Sequence, residues 1–190
     1  SDTTPSEGAY TNKSFEATAY VVGPEEVSSL EILSPPSAQW TTSDGKGGTL
    51  VVDAGPLDDG PVLLYLEAKD TLGNIGQLTR TIHLDRSGPV IDAEELGANG
   101  WFFEEKVTLQ LSVIDALPEG VVGVGVENVI LQPESGPAQS MTPAHSSLYR
   151  ATVSLKDGEQ SFLVEATDFL KNTSAFDITV GRDTQPPELT

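Results

Sequence analysis

The chain has 190 residues, of which 29 are acidic and 10 are basic, and its formal net charge at pH 7 is −19. Such a charge repels nucleic acid and anionic lipid, so we expect neither as a partner, and it favours a monomer. The sequence contains no cysteine, which excludes disulfides and thiolate metal sites, and no apolar run is long enough to insert into a membrane.

The first half of the chain shows short segments typical of strands, with no sustained helical period. We predict strands near residues 14–22, 29–32 and 49–53. A hairpin follows, in which Leu64, Leu66 and Ala68 alternate with polar or exposed positions. Proline, glycine, serine and aspartate clusters separate these segments, which is typical of an antiparallel sandwich.

The second half repeats this pattern. We predict strands near residues 106–114, 127–131 and 148–155, and a closing hairpin in which Phe162, Val164 and Ala166 alternate. The sequence therefore predicts an all-β chain made of two tandem immunoglobulin-like antiparallel β-sandwiches joined by a short linker.

An internal repeat sets the predicted domain limits. Residues 60–91 align without a gap with residues 158–189 when 98 is added to each number. We predict one domain over residues 1–86, a second over 87–184, and the start of a further linker at 185–190. The chain opens in the middle of the linker pattern, at Asp2-Thr3-Thr4-Pro5, so we interpret it as part of a longer protein whose export signal or anchor lies outside it.

The end of each repeat resembles a known family. The pattern A-x-D-x-x-x-N, then a strand, then D-x-x-P-P occurs from Ala68 to Pro89 and from Ala166 to Pro187. It resembles the last hairpin and linker of the bacterial immunoglobulin-like repeats that occur in surface adhesins and exported multi-modular proteins. These repeats are similar to fibronectin-III and cadherin domains. Asp85 to Pro89 departs from the pattern in lacking the double proline. The resemblance implies neighbouring immunoglobulin-like domains as partners and an extracellular or bacterial cell-surface location.

Aspartates are the one group of residues whose expected positions in the fold could bring them together as a site. In such a sandwich the last hairpin turn lies near the incoming linker, so acidic residues of the turn, the linker and nearby loops are expected to converge at one junction. The candidate ligands there are Asp168, Asp115, Asp85, Asp58 and Asp59. By the same logic Asp2 and Asp70 mark the junction before the first domain, and Asp183 the junction after the second.

Several carboxylates with a few carbonyls are the ligands that Ca²⁺ needs. The functional hypothesis is that Ca²⁺ stiffens the array. The alternative is that these aspartates only cap the backbone amides of their own turns, as aspartate commonly does.

Catalysis is not expected. His83 and His145 occupy non-equivalent positions in the two repeats, and neither has the partners that a triad or a zinc site requires. Trp101, Phe102 and Phe103 begin a strand, where alternation turns at least one ring outward to stack on a sugar, to contact a partner, or to pack against a neighbouring domain.

We therefore interpret the chain as non-catalytic structural or spacer repeats of a bacterial cell-surface or secreted adhesin-like protein. The alternatives are a carbohydrate- or protein-binding module, with a host glycan or host protein as the ligand, and accessory domains of an exported hydrolase.

Overall fold

The computed structural model describes residues 5–23, 26–93 and 100–186. The chain divides into two compact units, Ser1–Arg86 with Leu117–Val121 and Ser87–Ala116 with Val122–Thr190. Both units are built from strands, and the loop after the strand Lys106–Ile114 includes a short 3-10 turn, Pro118–Gly120. In the described part of the chain, no helix has the length and apolar character needed to cross a membrane.

The first unit is a sandwich of two sheets. One sheet has the strand order β1-β7-β6-β3 and the other has the order β2-β5-β4. The strands are β1 (Tyr10–Thr11), β2 (Phe15–Tyr20), β3 (Val27–Ser34), β4 (Ala38–Ser43), β5 (Gly47–Val52), β6 (Gly60–Asp70) and β7 (Ile75–Leu84).

The second unit repeats this plan with additional strands. Its sheets have the orders β13-β14-β10-β8 and β12-β11-β15-β16-β9. The strands are β8 (Val90–Asp92), β9 (Trp101–Phe102), β10 (Lys106–Ile114), β11 (Val126–Pro133), β12 (Gln139–Ser140), β13 (Thr142–His145), β14 (Leu148–Ser154), β15 (Gly158–Asp168) and β16 (Thr173–Arg182).

Each unit has its own apolar core between its two sheets, formed by the inward-facing residues of alternating strands. In the second unit the core is one cluster that includes Leu109, Leu111, Leu131, Val164 and Val180. In the first unit it is split into a cluster of Ala17, Leu50, Val52, Leu64 and Leu66 and a smaller one of Ala54, Val62 and Leu84. The prediction of two tandem sandwiches is thus confirmed, and the first unit has the thinner core.

Not every pairing is antiparallel. β1 runs parallel to β7, and β9 runs parallel to β16 in the equivalent place, Tyr10 facing His83 and Trp101 facing Gly181. β9 lies where the sequence analysis places the beginning of a strand, at Trp101, whereas β1, β4, β8, β12 and β13 are absent from the sequence prediction. They are too short or too exposed to show an apolar alternation, so tertiary pairing rather than local pattern creates them.

Two glycines are required where β4 turns into β5. A Cβ on Gly48 would overlap the carbonyl oxygen of Thr42, and one on Gly47 would overlap the carbonyl oxygen of Ala19. The Gly45-Lys46-Gly47-Gly48 run therefore allows close packing of the backbone at this turn.

Candidate metal centre

The hairpin turn between β15 and β16 positions Asp168. Its Oδ1 accepts a hydrogen bond from the backbone N–H of Asn172 at 2.8 Å, and its Oδ2 accepts one from Asn172 Nδ2 at 2.7 Å. Lys171 adopts a φ of 71° within this turn, a conformation that glycine or asparagine adopts more easily. Asp168 is completely buried. Its carboxylate is therefore held rigidly inside the protein.

Asp115 follows directly after β10, at the start of a loop that returns to β11. Its Oδ2 accepts a hydrogen bond from the N–H of Gly125 at 2.6 Å, and its carbonyl accepts one from Gly123 at 3.1 Å. A Cβ on Gly123 would lie 2.5 Å from the Asp115 carboxyl carbon. The glycines of this segment are thus needed to wrap the carboxylate, a role that the sequence analysis missed.

The two carboxylates face each other closely. Asp115 and Asp168 offer oxygens within 4.8 Å of one another, and both side chains are buried. Burial raises the pKa of Asp115 above its usual value; the Gly125 hydrogen bond opposes this, and the Asp168 charge adds to it. A proton or a cation is the natural means of relieving such a repulsion.

Oxygen donors in this arrangement match a hard divalent cation. Carboxylate oxygens that accept an N–H bond keep a second lone pair for a metal, and Ca²⁺ takes six to eight oxygens at about 2.3–2.6 Å. Two carboxylates supply part of such a shell. The pair can hold a cation only if further oxygens complete it.

Asp85, one residue before the end of the first unit, is also buried. Its N–H donates to the carbonyl of Thr11 at 2.8 Å, and its side chain has no exposed surface. Among the described residues, the buried polar or charged side chains are three aspartates, Asp85, Asp115 and Asp168. The sequence analysis had named all three as candidate ligands.

The remaining candidates lie in other environments. Asp58 is exposed, and Asp59 forms an ion pair with Arg86, whose Nε donates to Asp59 Oδ1 at 2.7 Å. Arg86 also donates to the carbonyls of Ala54 and Leu57. Asp59 therefore fastens the end of β7 to the loop before β6. Asp2 lies outside the described residues.

Asp70 occupies the place in the first unit that Asp168 has in the second. It accepts the same pair of hydrogen bonds, from the N–H of Asn74 at 2.8 Å and from Asn74 Nδ2 at 2.7 Å. The side-chain hydrogen bond from Asn74 lowers the pKa of Asp70, with further lowering from backbone N–H groups. Asp70 thus behaves as a turn-capping residue.

Burial separates the equivalent acids of the two repeats. Asp168 is buried and Asp70 is partly exposed, whereas Asp85 is buried and its counterpart Asp183 is exposed. Asp183 retains the backbone bond to the equivalent residue, Phe102, and its Oδ1 caps the N–H of Gln185 at 2.8 Å. Identical turn chemistry therefore leads to different environments.

This difference predicts unequal effects of two matched substitutions. Asn172→Ala removes the Nδ2 hydrogen bond to the buried Asp168 carboxylate and keeps the backbone N–H bond, so we expect a loss of about 2–3 kcal/mol in the stability of the second unit. Asn74→Ala should destabilise the first unit much less, because water replaces the lost Nδ2 donor at the partly exposed Asp70. Chemical denaturation followed by NMR signals of each unit measures both values, and equal losses would contradict the assignment.

The two histidines contribute nothing to the pair of buried carboxylates of Asp115 and Asp168. His83 lies on β7 and stacks on Tyr10, with ring centroids 4.8 Å apart. His145 is exposed at the end of β13. The stack joins β1 to β7, which is a structural role.

Comparison with known proteins gives similarity at the level of the fold. No family model matches the sequence, and no curated protein has a significant match. Domains A168–A170 of titin superpose with a TM-score of 0.50 at 11% identity, covering 94% of this chain and 62% of that one. The fold is immunoglobulin-like.

Two further solved structures match along almost the whole chain. The fibronectin(III)-like modules of CbhA from Clostridium thermocellum have a TM-score of 0.39 and 12% identity, with 98% of this chain and 95% of that one covered. The protocadherin GammaB4 extracellular domain has a TM-score of 0.45 and 16% identity, with 95% and 30% covered.

Proposed function

We propose that the chain is a pair of non-catalytic spacer modules of an exported or bacterial cell-surface protein, and that Ca²⁺ held by Asp85, Asp115 and Asp168 stiffens their junction. The observation that carries the proposal is the pair of buried carboxylates of Asp115 and Asp168 within 4.8 Å of each other. Two buried like charges at this separation are costly unless a cation or a proton lies with them.

The reach of the chain supports including Asp85. Ser174 Oγ donates to the carbonyl of Pro89, and Gly88 packs so closely on Thr173 that a Cβ there would overlap its backbone. Thr173 begins β16, directly after the turn that holds Asp168. Because Asp85 precedes Gly88 by three residues, its Cα lies within about 11 Å of the Gly88 Cα.

The mechanical role follows from the linker. Proline fixes φ and favours an extended conformation in the residue before it, so Gly88-Pro89 limits the freedom of the connection. Arg86 adds a second restraint by fastening the start of the linker to the first unit. A cation bound by Asp85, before residues 86–89, and by Asp115 and Asp168, after them, would restrict the remaining rotation about this linker. We therefore expect the two units to form a stiff spacer and not a flexible tether.

A distance measurement tests the proposal. The native chain lacks cysteine, so Lys46→Cys with Glu159→Cys, both exposed positions, accepts a fluorophore pair without background labelling. We expect Ca²⁺ to narrow the distribution of transfer efficiencies, and calorimetry to detect saturable binding. Asp115→Asn should abolish both effects, and the matched control Asp70→Asn should retain them. No heat and no narrowing with the unmodified aspartates would overturn the Ca²⁺ part of the proposal.

An exposed aromatic pair favours glycan binding as a second candidate function. Trp101 is 47% exposed and Phe103 is 70% exposed, and a Cβ on Gly181 would lie 2.5 Å from the indole ring of Trp101. One face of the indole ring thus packs against the strand at Gly181. The opposite face of the ring is the one on which a sugar would stack. A glycan array should then show signals that Trp101→Ala removes, and an array without signals would reject this candidate.

A further inference from the structure

The two units differ at one edge of one sheet. In the second unit, β8 pairs antiparallel with β10, Val90 facing Ile114, Ile91 facing Val113 and Asp92 facing Ser112. In the first unit, β2 is the counterpart of β10. Over residues 5–23, 26–93 and 100–186, β2 has β5 as its single strand neighbour, so its other edge carries no strand.

Matching hydrogen bonds define the equivalent positions. Val21 donates its N–H to the carbonyl of Lys46 at 2.7 Å, and Val113 donates to the carbonyl of Ser147 at 2.8 Å. Val21 is therefore the counterpart of Val113. It follows that Tyr20 to Val22 correspond to the three residues that pair with β8.

The open edge borders an apolar groove of about 240 Å³. The groove lies between β2 and β7, and its lining includes Tyr20, Val22, Leu66, Ala68, Gly76 and Leu78. Leu66 belongs to the core of the first unit and is 3% exposed, while Tyr20 is 64% and Val22 is 95% exposed. The groove therefore reaches the core between the two sheets.

The linker fills the same place in the second unit. Ile91 of β8 packs against the core there, and the preceding Pro89 accepts the hydrogen bond from Ser174 of β16. Ser174 corresponds to Gly76 through the 98-residue repeat. The strand β8 thus closes a space that is lined in the first unit by the groove residues.

We propose that this groove is a strand-acceptor site that binds an extended peptide of the linker type from a partner polypeptide. The peptide pairs antiparallel with Tyr20 to Val22 and places a branched apolar side chain, the counterpart of Ile91, over Leu66. An unpaired sheet edge supplies main-chain hydrogen bonds, and the groove selects the side chain. Because the chain carries a net charge of −19, the partner segment is neutral or basic rather than acidic.

A synthetic peptide with the sequence of residues 86–93, Arg-Ser-Gly-Pro-Val-Ile-Asp-Ala, is the probe. Added to the full chain, it should shift the amide signals of Tyr20 to Val22. At ten times its Kd it should raise the melting temperature of the first unit by about 5 °C. A peptide with aspartate in place of the isoleucine should bind at least about tenfold more weakly, since a charge would replace the buried side chain.

Gly76→Phe provides a matched variant of the protein. A Cβ at Gly76 meets no atom within 4 Å, so the ring can enter the groove without disturbing the fold. We expect this variant to remain folded and to lose peptide binding. Binding that persists in Gly76→Phe, or no shift of the Tyr20 to Val22 signals in the native chain, would overturn the proposal.

Two other occupants are distinguished in the same experiments. Concentration-dependent dimerisation that removal of residues 187–190 abolishes would assign the groove to a second copy. Peptide binding that appears only after removal of residues 1–4 would assign it to the chain's own N-terminal residues. Either result would overturn a partner polypeptide as the occupant.

Discussion

Leu131→Ala is expected to unfold the second unit near physiological temperature while the first unit remains folded. Leu131 is completely buried on β11, where it pairs with Val164 of β15 and lies in the larger core. Removing three carbon atoms from such a site costs about 3–4 kcal/mol, a large share of the stability of a small domain. Differential scanning calorimetry should show one transition lowered by about 10–20 °C.

Leu50→Ala is the matched change in the first unit, because Leu50 is also completely buried and lies in a separate core. It should lower the other transition and leave that of the second unit in place. The native first unit is expected to melt at the lower temperature, since its core is smaller and is open at the groove beside β2. A common shift of both transitions by either variant would show that the units unfold as one, against the predicted division into independent domains.

Asp115→Asn is expected to stabilise the second unit when Ca²⁺ is removed by a chelator. Two ionised carboxylates whose oxygens lie within 4.8 Å of each other repel by about 3 kcal/mol at an effective dielectric constant of about 20. The amide of asparagine keeps an oxygen for the Gly125 N–H bond and removes the charge. We therefore expect a gain of about 1–3 kcal/mol at pH 7, measured by urea unfolding, and no further gain when Ca²⁺ is added.

The pH dependence provides a control for the same substitution. Burial raises the pKa of Asp115, so the folded protein binds this proton more tightly than the unfolded chain does. Without Ca²⁺, the Asp115 contribution should stabilise the protein below pH 4, near the usual aspartate value, and be lost as pH rises through the raised pKa. In Asp115→Asn this loss of stability with rising pH should be absent. An unchanged pH profile in the variant would mean that Asp115 is not the group responsible.

Much of the fold is readable from local pattern. The alternation of Leu64, Leu66 and Ala68 predicts the inward face of β6, and that of Phe162, Val164 and Ala166 predicts the face of β15. In β15 all three inward residues are buried, but in β6 Ala68 is only partly buried because it lines the groove. The pattern identifies the inward face of a strand, and whether another strand covers that face depends on distant residues.

The candidate site shows the same division. Asp168 was identified as a candidate from its turn and Asp115 from its loop, because an aspartate next to the end of a strand indicates a turn or loop. The part played by Gly123 and Gly125 was missed, because nothing in the sequence links these glycines to Asp115. The two glycines are explained by the carboxylate that they enclose, which no spacing rule encodes. That Asp85, Asp115 and Asp168 bind Ca²⁺ together stays a prediction.

The amino-acid sequence by itself determined that this chain is all-β and repeats one sandwich twice, because a period of two and an offset of 98 residues are local or linear properties. The tertiary structure alone decided that Asp168 is buried while Asp70 is partly exposed, and that β10 gains a strand while β2 keeps an open edge. Equivalent residues differ in these respects because burial depends on the chain segments packed above them, and those segments are not repeated.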